Sequence, residues 1–385
     1  MDIIVTFLLL LLITAYIIKA VSNRFVIASE SYLWTLFVIH TILTATYMIY
    51  AAQTTSDSIA YYAKTTASQS WFELWGIGTP FIHFFAWPFA SMFGLSYYAT
   101  MMVFSFFGFI AIIIFYITAR ENIKLEPIWM NLTAVELVFL LPNLHFWSSS
   151  LGKGGVILLG LGLFAYGLSR FNRRVIPLIL GGILTFMIRP HILFTAILSV
   201  MLGVVLTSSG IKPIWRWMIF IVAAGVFYYI SDDVLKFTDT ESLDILSSSN
   251  LSHRAQELSK STTGVNIQEY GLFMKMFTFW FRPLFVDGQG LMGLIVSFEN
   301  LLYLYMFFMV VKQGFTYWRD WNGYFRISLF FFLFGSVALA QVTGNLGIAM
   351  RQKAQLMPFF FILYCKAVSY KYVLTNTYRR NVRPV

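Results

Sequence analysis

The stretch Thr79-Pro-Phe-Ile-His-Phe-Phe-Ala-Trp-Pro-Phe-Ala-Ser-Met-Phe-Gly-Leu95 decides the topology of this chain. It is apolar and approaches the ~20 residues that cross a bilayer as a helix. It also carries His83, and Pro80 and Pro88 interrupt it. A proline inside a helix removes a backbone donor and clashes with the preceding turn. If the stretch spans, every later loop changes sides. If it lies along the membrane surface, the charges sort cleanly between the two faces.

The rest of the chain supplies the context. Of 385 residues, 58% are hydrophobic and only 11% charged, against roughly a quarter charged in soluble domains. The apolar residues come in long runs, which in lipid must be helices because the backbone has to satisfy itself. The alternation of a membrane barrel is absent. The net charge of +10 does not point to nucleic acid, because Lys and Arg sit in short loops between apolar runs. The one cysteine, Cys365, falls in such a run, so neither a disulfide framework nor a cysteine metal site is expected. Residues 3–18 have no basic leader and no convincing cleavage site, and are expected to remain as the first span.

Apolar runs at 3–18, 32–51, 98–118, 128–141, 155–169, 175–188, 191–207, 217–231, 290–311, 327–345 and 356–370 predict 11 spans in a single all-α integral membrane domain covering 1–385. With 79–95 left on the surface, 17 of the 27 Lys and Arg residues fall on one face, opposed only by Glu30, Glu121, Glu126 and Asp320. That face is expected to be cytoplasmic. The N-terminus is then outside and the C-terminus inside, in a bacterial inner membrane. Two outer loops are long, 52–97 and 232–289, and each is expected to carry membrane-surface helices. The Phe-, Met- and Trp-rich segment Leu272–Phe285 is one of these.

Polar groups at a membrane boundary need a reason, and on this topology five clusters face outward. Asp57 follows the second span and suits a general base; its alternative role is a helix N-cap, by Ser56 or Asp57. His145 and Lys153 bracket a Gly-rich turn, where an ammonium and backbone N–H groups can hold phosphate. Arg189-Pro190-His191 sits in a tight turn, and an arginine fork fits phosphate oxygens. Arg282-Pro283 follows, with Asp287 nearby and Glu299 in the next span as a possible ion partner. Arg351 and Lys353 precede the last span, and His253 and Arg254 in the Ser-rich loop could join them. For the cations, the alternative role is snorkelling at a span end. For Glu299 and Glu136 it is a hydrogen bond between helices. One carboxylate facing several cations suits a phosphate-bearing substrate: the cations stabilise a leaving phosphate and Asp57 activates an acceptor hydroxyl.

The motif order is Asp57-Ser-x-x-Tyr-Tyr, a Pro-start helix ending in Phe-Gly-x-Ser, Pro142-x-x-His-Phe-Trp-Ser-Ser-x-x-Gly-Lys153, Arg-Pro-His, Phe-Arg-Pro, and Asn345-x-Gly-x-x-x-Arg-Gln-Lys353. From Asp57 to Pro358 it resembles the multi-spanning proteins of bacterial surface-polysaccharide clusters. These are similar to the C-type glycosyltransferase superfamily and to polysaccharide polymerases of the O-antigen type. The resemblance implies a polyprenyl-(pyro)phosphate-linked sugar donor and a base or metal ligand at Asp57. It also implies outer-face arginines, Arg189 and Arg351, on the pyrophosphate. The second acidic residue frequent in the C-type enzymes is missing, since Gly154 follows Lys153, so no cofactor is expected and a divalent metal is the less favoured alternative. The partners implied are the lipid-linked saccharide, the bilayer and other polysaccharide-assembly proteins. Rival functions are a transporter of a lipid-linked or anionic solute and a non-catalytic scaffold. Unlike the leading reading, the transporter requires a charged path through the spans, for which only Glu136 and Glu299 stand out.

Overall fold

The computed structural model describes residues 1–54, 56–125, 127–206, 270–287 and 290–381, with positions 214, 217, 218, 221, 225 and 267. The described residues are helical, apart from turns and one isolated bridge between Trp129 and Leu132. They group into two compact units, Met1–Lys124 with Val135–Arg189, and Leu125–Ala134 with Pro190–Val385.

In the first unit, the apolar runs at the start of the chain become α1 (Asp2–Arg24) and α2 (Glu30–Gln53). The amphipathic α3 (Asp57–Ala67) follows, capped by Ser56, whose hydroxyl accepts the Ser58 N–H. The cap is therefore Ser56 and not Asp57, which is the first helical residue. The deciding stretch forms α4 (Thr79–Trp87), continued by a π-helical turn at Pro88–Met92. Nine α-helical residues rise about 14 Å, half the hydrocarbon thickness. Pro80 starts this helix and Pro88 sits where its regular bonding ends, as their missing N–H groups dictate. Next comes α5 (Tyr97–Asn122), the central helix of the unit: 72% of its apolar window is buried, against 17% for α1.

The span expected at 128–141 is not one helix. Met130 and Asn131 both adopt positive φ, 46° and 61°. They close a tight turn in which Leu132 N–H bonds Trp129 O at 2.7 Å. Helix α6 (Ala134–Phe139) then stops before Pro142, which holds Leu141 extended, and α7 (Pro142–Ser148) begins. A bend of 112° separates α7 from α8 (Lys153–Ser169). The unit closes with α9 (Val175–Ile188) packed on α8.

In the second unit, α10 (Pro190–Val205) packs on α13 (Gly323–Val342), with α11 (Leu272–Phe281) and α12 (Gly290–Tyr317) between them in sequence. The short α14 (Leu346–Lys353), capped by Asn345, leads into α15 (Met357–Asn381). Arg326 on α13 is buried and bonds the backbone oxygens of Leu206 and Trp318.

Five helices among the described residues are long and apolar enough to cross a membrane: α1, α2, α5, α12 and α13. The bent pair α7 and α8 makes up to six. Four expected spans, on α8, α9, α10 and α15, correspond to apolar helices of 10–17 residues or to half of the bent pair. The one expected at 217–231 lies outside the described residues. The all-helical membrane architecture stands, with five or six full-length candidates among the described residues where 11 were expected.

Candidate functional site

The predicted site residues divide between the two units. Asp57, His145, Lys153 and Arg189 lie in the first; His191, Arg282, Glu299, Arg351 and Lys353 lie in the second. His253 and Arg254 lie outside the described residues.

In the first unit, Asp57 is exposed at the head of α3. A chain of hydroxyls flanks it: Tyr47 to Ser56 at 3.2 Å, Ser56 to Ser58 at 2.7 Å and Ser58 to Tyr97 at 2.6 Å. These bonds pin the start of α3 to α2 and α5, so the carboxylate has a fixed base. One turn further along α3, the Tyr61 ring lies against Gly152. A Cβ there would sit 3.0 Å from the ring, and Gly152 has φ +152°. The backbone conformation calls for glycine, and the ring makes the space tight. The contact brings Lys153, the first residue of α8 and half-buried, to the same end as α3.

His83 completes this face. Its Nδ1 lies 3.3 Å from both Tyr61 O and Thr65 Oγ1. Burial, then the Tyr61 carbonyl opposing it, and then the charges of Lys64 and Lys153, together hold its pKa below the ordinary value. The Gly78 N–H bonds Met187 O at 2.8 Å, two residues before Arg189, which caps α9. One end of the unit thus collects an exposed carboxylate, an ammonium at a helix N-terminus, a neutral imidazole and an adjacent arginine. An ammonium at a helix N-terminus is chemically able to hold an oxyanion, and a carboxylate or neutral imidazole to accept a proton.

His145 lies elsewhere, fully buried in α7, against His40 of α2 at 3.1 Å. His40, Thr44, Ser105 and Ser149 escaped the sequence analysis. Their signal was present: His40, Thr44 and Tyr47 recur at helical spacing on one face of an otherwise apolar run.

In the second unit, Arg282 pairs with Asp287, Nε to Oδ2 at 2.8 Å and Nη2 to Oδ1 at 2.5 Å. Asp287, not Glu299, is its carboxylate partner. Lys353 is fully buried, and its ammonium bonds Asn300 Oδ1 at 2.6 Å and Trp280 O at 3.1 Å. Burial pushes its pKa down to about 7, with the Glu299 charge opposing. Glu299 accepts the Tyr303 hydroxyl. Arg351 is half-buried on α14, and His191 is half-buried at the start of α10.

Lys353, expected as a phosphate contact, is an internal strut joining α14 to α11 and α12. The exposed chemistry of the predicted set is concentrated in the first unit. Among the described residues, no three His, Cys, Asp or Glu side chains converge as a metal-binding group. Comparison with protein-family models, curated proteins and solved structures gives no match for this chain.

Proposed function

We propose that this chain is a membrane glycosyltransferase or polysaccharide polymerase. It takes a polyprenyl-(pyro)phosphate-linked sugar at the outer face of a bacterial inner membrane. The observation that carries this reading is the grouping of Asp57 on α3 with Lys153 at the N-terminus of α8, bridged by the Tyr61–Gly152 contact. Lys153, with the α8 dipole, offers the phosphate a positive seat. Asp57 then orients or deprotonates the acceptor hydroxyl. The sugar–phosphate bond breaks as the new glycosidic bond forms, and the lipid phosphate leaves stabilised by cations. The apolar surface of the spans suits a polyprenyl tail.

The test uses the full chain in lipid vesicles with a polyprenyl-diphosphate oligosaccharide. Longer saccharides are expected, and Asp57→Asn or Arg189→Ala should each slow their formation by about a hundredfold. If both variants leave saccharide length and yield unchanged, the reading fails. Movement of the lipid-linked saccharide across the vesicle without a new glycosidic bond would mark a carrier instead.

A further inference from the structure

Inside the first unit, four polar side chains meet between α2, α5 and α7. The Nδ1 atoms of His40 and His145 are 3.1 Å apart. The outer nitrogen of each ring faces a backbone carbonyl: His145 Nε2 lies 2.7 Å from Phe139 O, and His40 Nε2 lies 2.9 Å from Ser105 O. The Ser105 hydroxyl is also 2.9 Å from His40 Nε2 and 2.6 Å from Thr44 Oγ1. His40 is 3% exposed and His145 0%, so bulk water does not satisfy these atoms.

A proton inventory follows from the chemistry of the partners. A carbonyl only accepts, so His145 Nε2 carries a proton. If that ring is neutral its Nδ1 is bare, and the contact between the rings requires a proton on His40 Nδ1. A neutral His40 then turns a bare Nε2 toward the Ser105 carbonyl, two lone pairs at 2.9 Å. Only the Ser105 hydroxyl can relieve this, by donating to Nε2. One further proton on His40 Nε2 satisfies everything at once. Nε2–H donates to Ser105 O, the proton between the rings is kept, and the Ser105 hydroxyl turns to Thr44. The pair goes from neutral to a single positive charge shared across two rings.

We propose that His40 and His145 form a proton-binding site within the helix bundle, loaded at His40 Nε2 and gated by the Ser105 hydroxyl. His40, Thr44 and Ser105 also line a cleft of about 130 Å³, walled by Phe7 and Leu10 of α1 and by Met48, Met102 and Phe106. His40 therefore borders a void and not only packed core. On α6, Glu136 is buried one turn before Phe139, and its carboxylate accepts the Tyr116 hydroxyl at 3.4 Å. The other titratable groups on the surrounding elements are Tyr32, bonded to Glu136 O, and Tyr47, against Phe146, on α2, and Tyr116 on α5, with Arg120 acting on Tyr116. Helix α1 contributes Phe7 and Leu10 to the cleft, and Lys153 is the one charged residue of α8. The proton site stands apart from the Asp57 face, so it is tested without reference to sugar transfer.

The experiment is nitrogen-15 NMR of histidine-labelled full chain in lipid vesicles, titrated from about pH 8 down to about pH 3, because burial opposes charging of an imidazole. One imidazolium per chain is expected in the pair, with magnetisation passing between the two Nδ1 atoms. His40→Gln should abolish that link and shift the titration of His145. Ser105→Ala keeps both rings and removes only the donor that serves the neutral state. It should tighten proton binding, by up to about tenfold, moving the transition to higher pH. The proposal is overturned if both rings stay neutral throughout, if they titrate independently, or if Ser105→Ala leaves the transition where it is.

Discussion

The ammonium of Lys353 lies 2.6 Å from Asn300 Oδ1 with both side chains buried, which ties α14 to α12 by one charge-assisted bond. Burial lowers the lysine pKa to about 7 in the folded chain, from 10.5. Between these values the unfolded chain binds more protons than the folded one, so stability rises with pH across the window. It falls as pH drops from about 10 towards 7. Lys353→Met removes that dependence. Thermal unfolding midpoints of the detergent-solubilised chain should climb with pH in the wild type and stay flat in the variant. At high pH the variant should be less stable by about 1–3 kcal/mol, because Asn300 Oδ1 and Trp280 O lose their donor.

Arg282 and Asp287 make a two-pronged pair, and Asp287 also accepts the Leu284 N–H at 3.0 Å. The Arg282 bonds hold the Asp287 carboxyl below its ordinary pKa. A depressed carboxyl contributes its stability above the unfolded value and loses it as pH falls through the folded one. Asp287→Asn should therefore destabilise the chain at neutral pH by about 1–3 kcal/mol, a range set for a mostly buried pair. The gap to wild type should close in strong acid. A constant gap at all pH values would mean that charge is not what the pair provides.

Helical class and most helix positions were legible because composition and run length leave no alternative in lipid. The break in 79–95 was legible too, since Pro80 and Pro88 fall at the start of its helix and at the end of its regular bonding. The segment 128–141 was not. Its hydropathy is that of a span, but a turn at Met130-Asn131 and the break before Pro142 depend on backbone conformation. Asp57 and Lys153 were legible as charges at span ends. Their grouping was not, because it depends on the Tyr61–Gly152 contact between segments 91 residues apart in the chain. The burial of Lys353 was not legible for a related reason. A lysine beside a predicted loop is read as solvent-facing, and only packing shows that its ammonium points inward.

His83 reports on the Asp57 face. Its pKa is held down by burial and further by the charges of Lys64 and Lys153. Removing a like charge favours the imidazolium, so Lys153→Ala should raise the His83 pKa toward its ordinary value near 6.5. An NMR titration of the His83 ring in both proteins measures the shift. An unmoved midpoint would place Lys153 too far away to share the site.

Close backbone packing around the buried histidines depends on Gly155. A Cβ there would lie 2.6 Å from Ser148 O and 2.9 Å from Phe104 O; a Cβ at Gly108 would lie 2.3 Å from the same Ser148 O. These obstacles are backbone atoms, so no rotamer change makes room; α8 must move off α5 or the 148–153 turn must shift. Gly155→Ala should therefore cost about 1–3 kcal/mol by overpacking. It should also loosen the Thr44–Ser149 bond, 3.0 Å in the native chain. Gly94→Ala is the control. Nothing lies within 4 Å of that Cβ, and only φ +65° opposes it, a strain of about 1–2 kcal/mol with no effect on packing. Unfolding midpoints rank the two, and the His40–His145 NMR signals separate them. Gly155→Ala should perturb those signals and Gly94→Ala should leave them unchanged. Equal spectra in both variants would show that the α5–α8 contact does not set the geometry of the histidine pair.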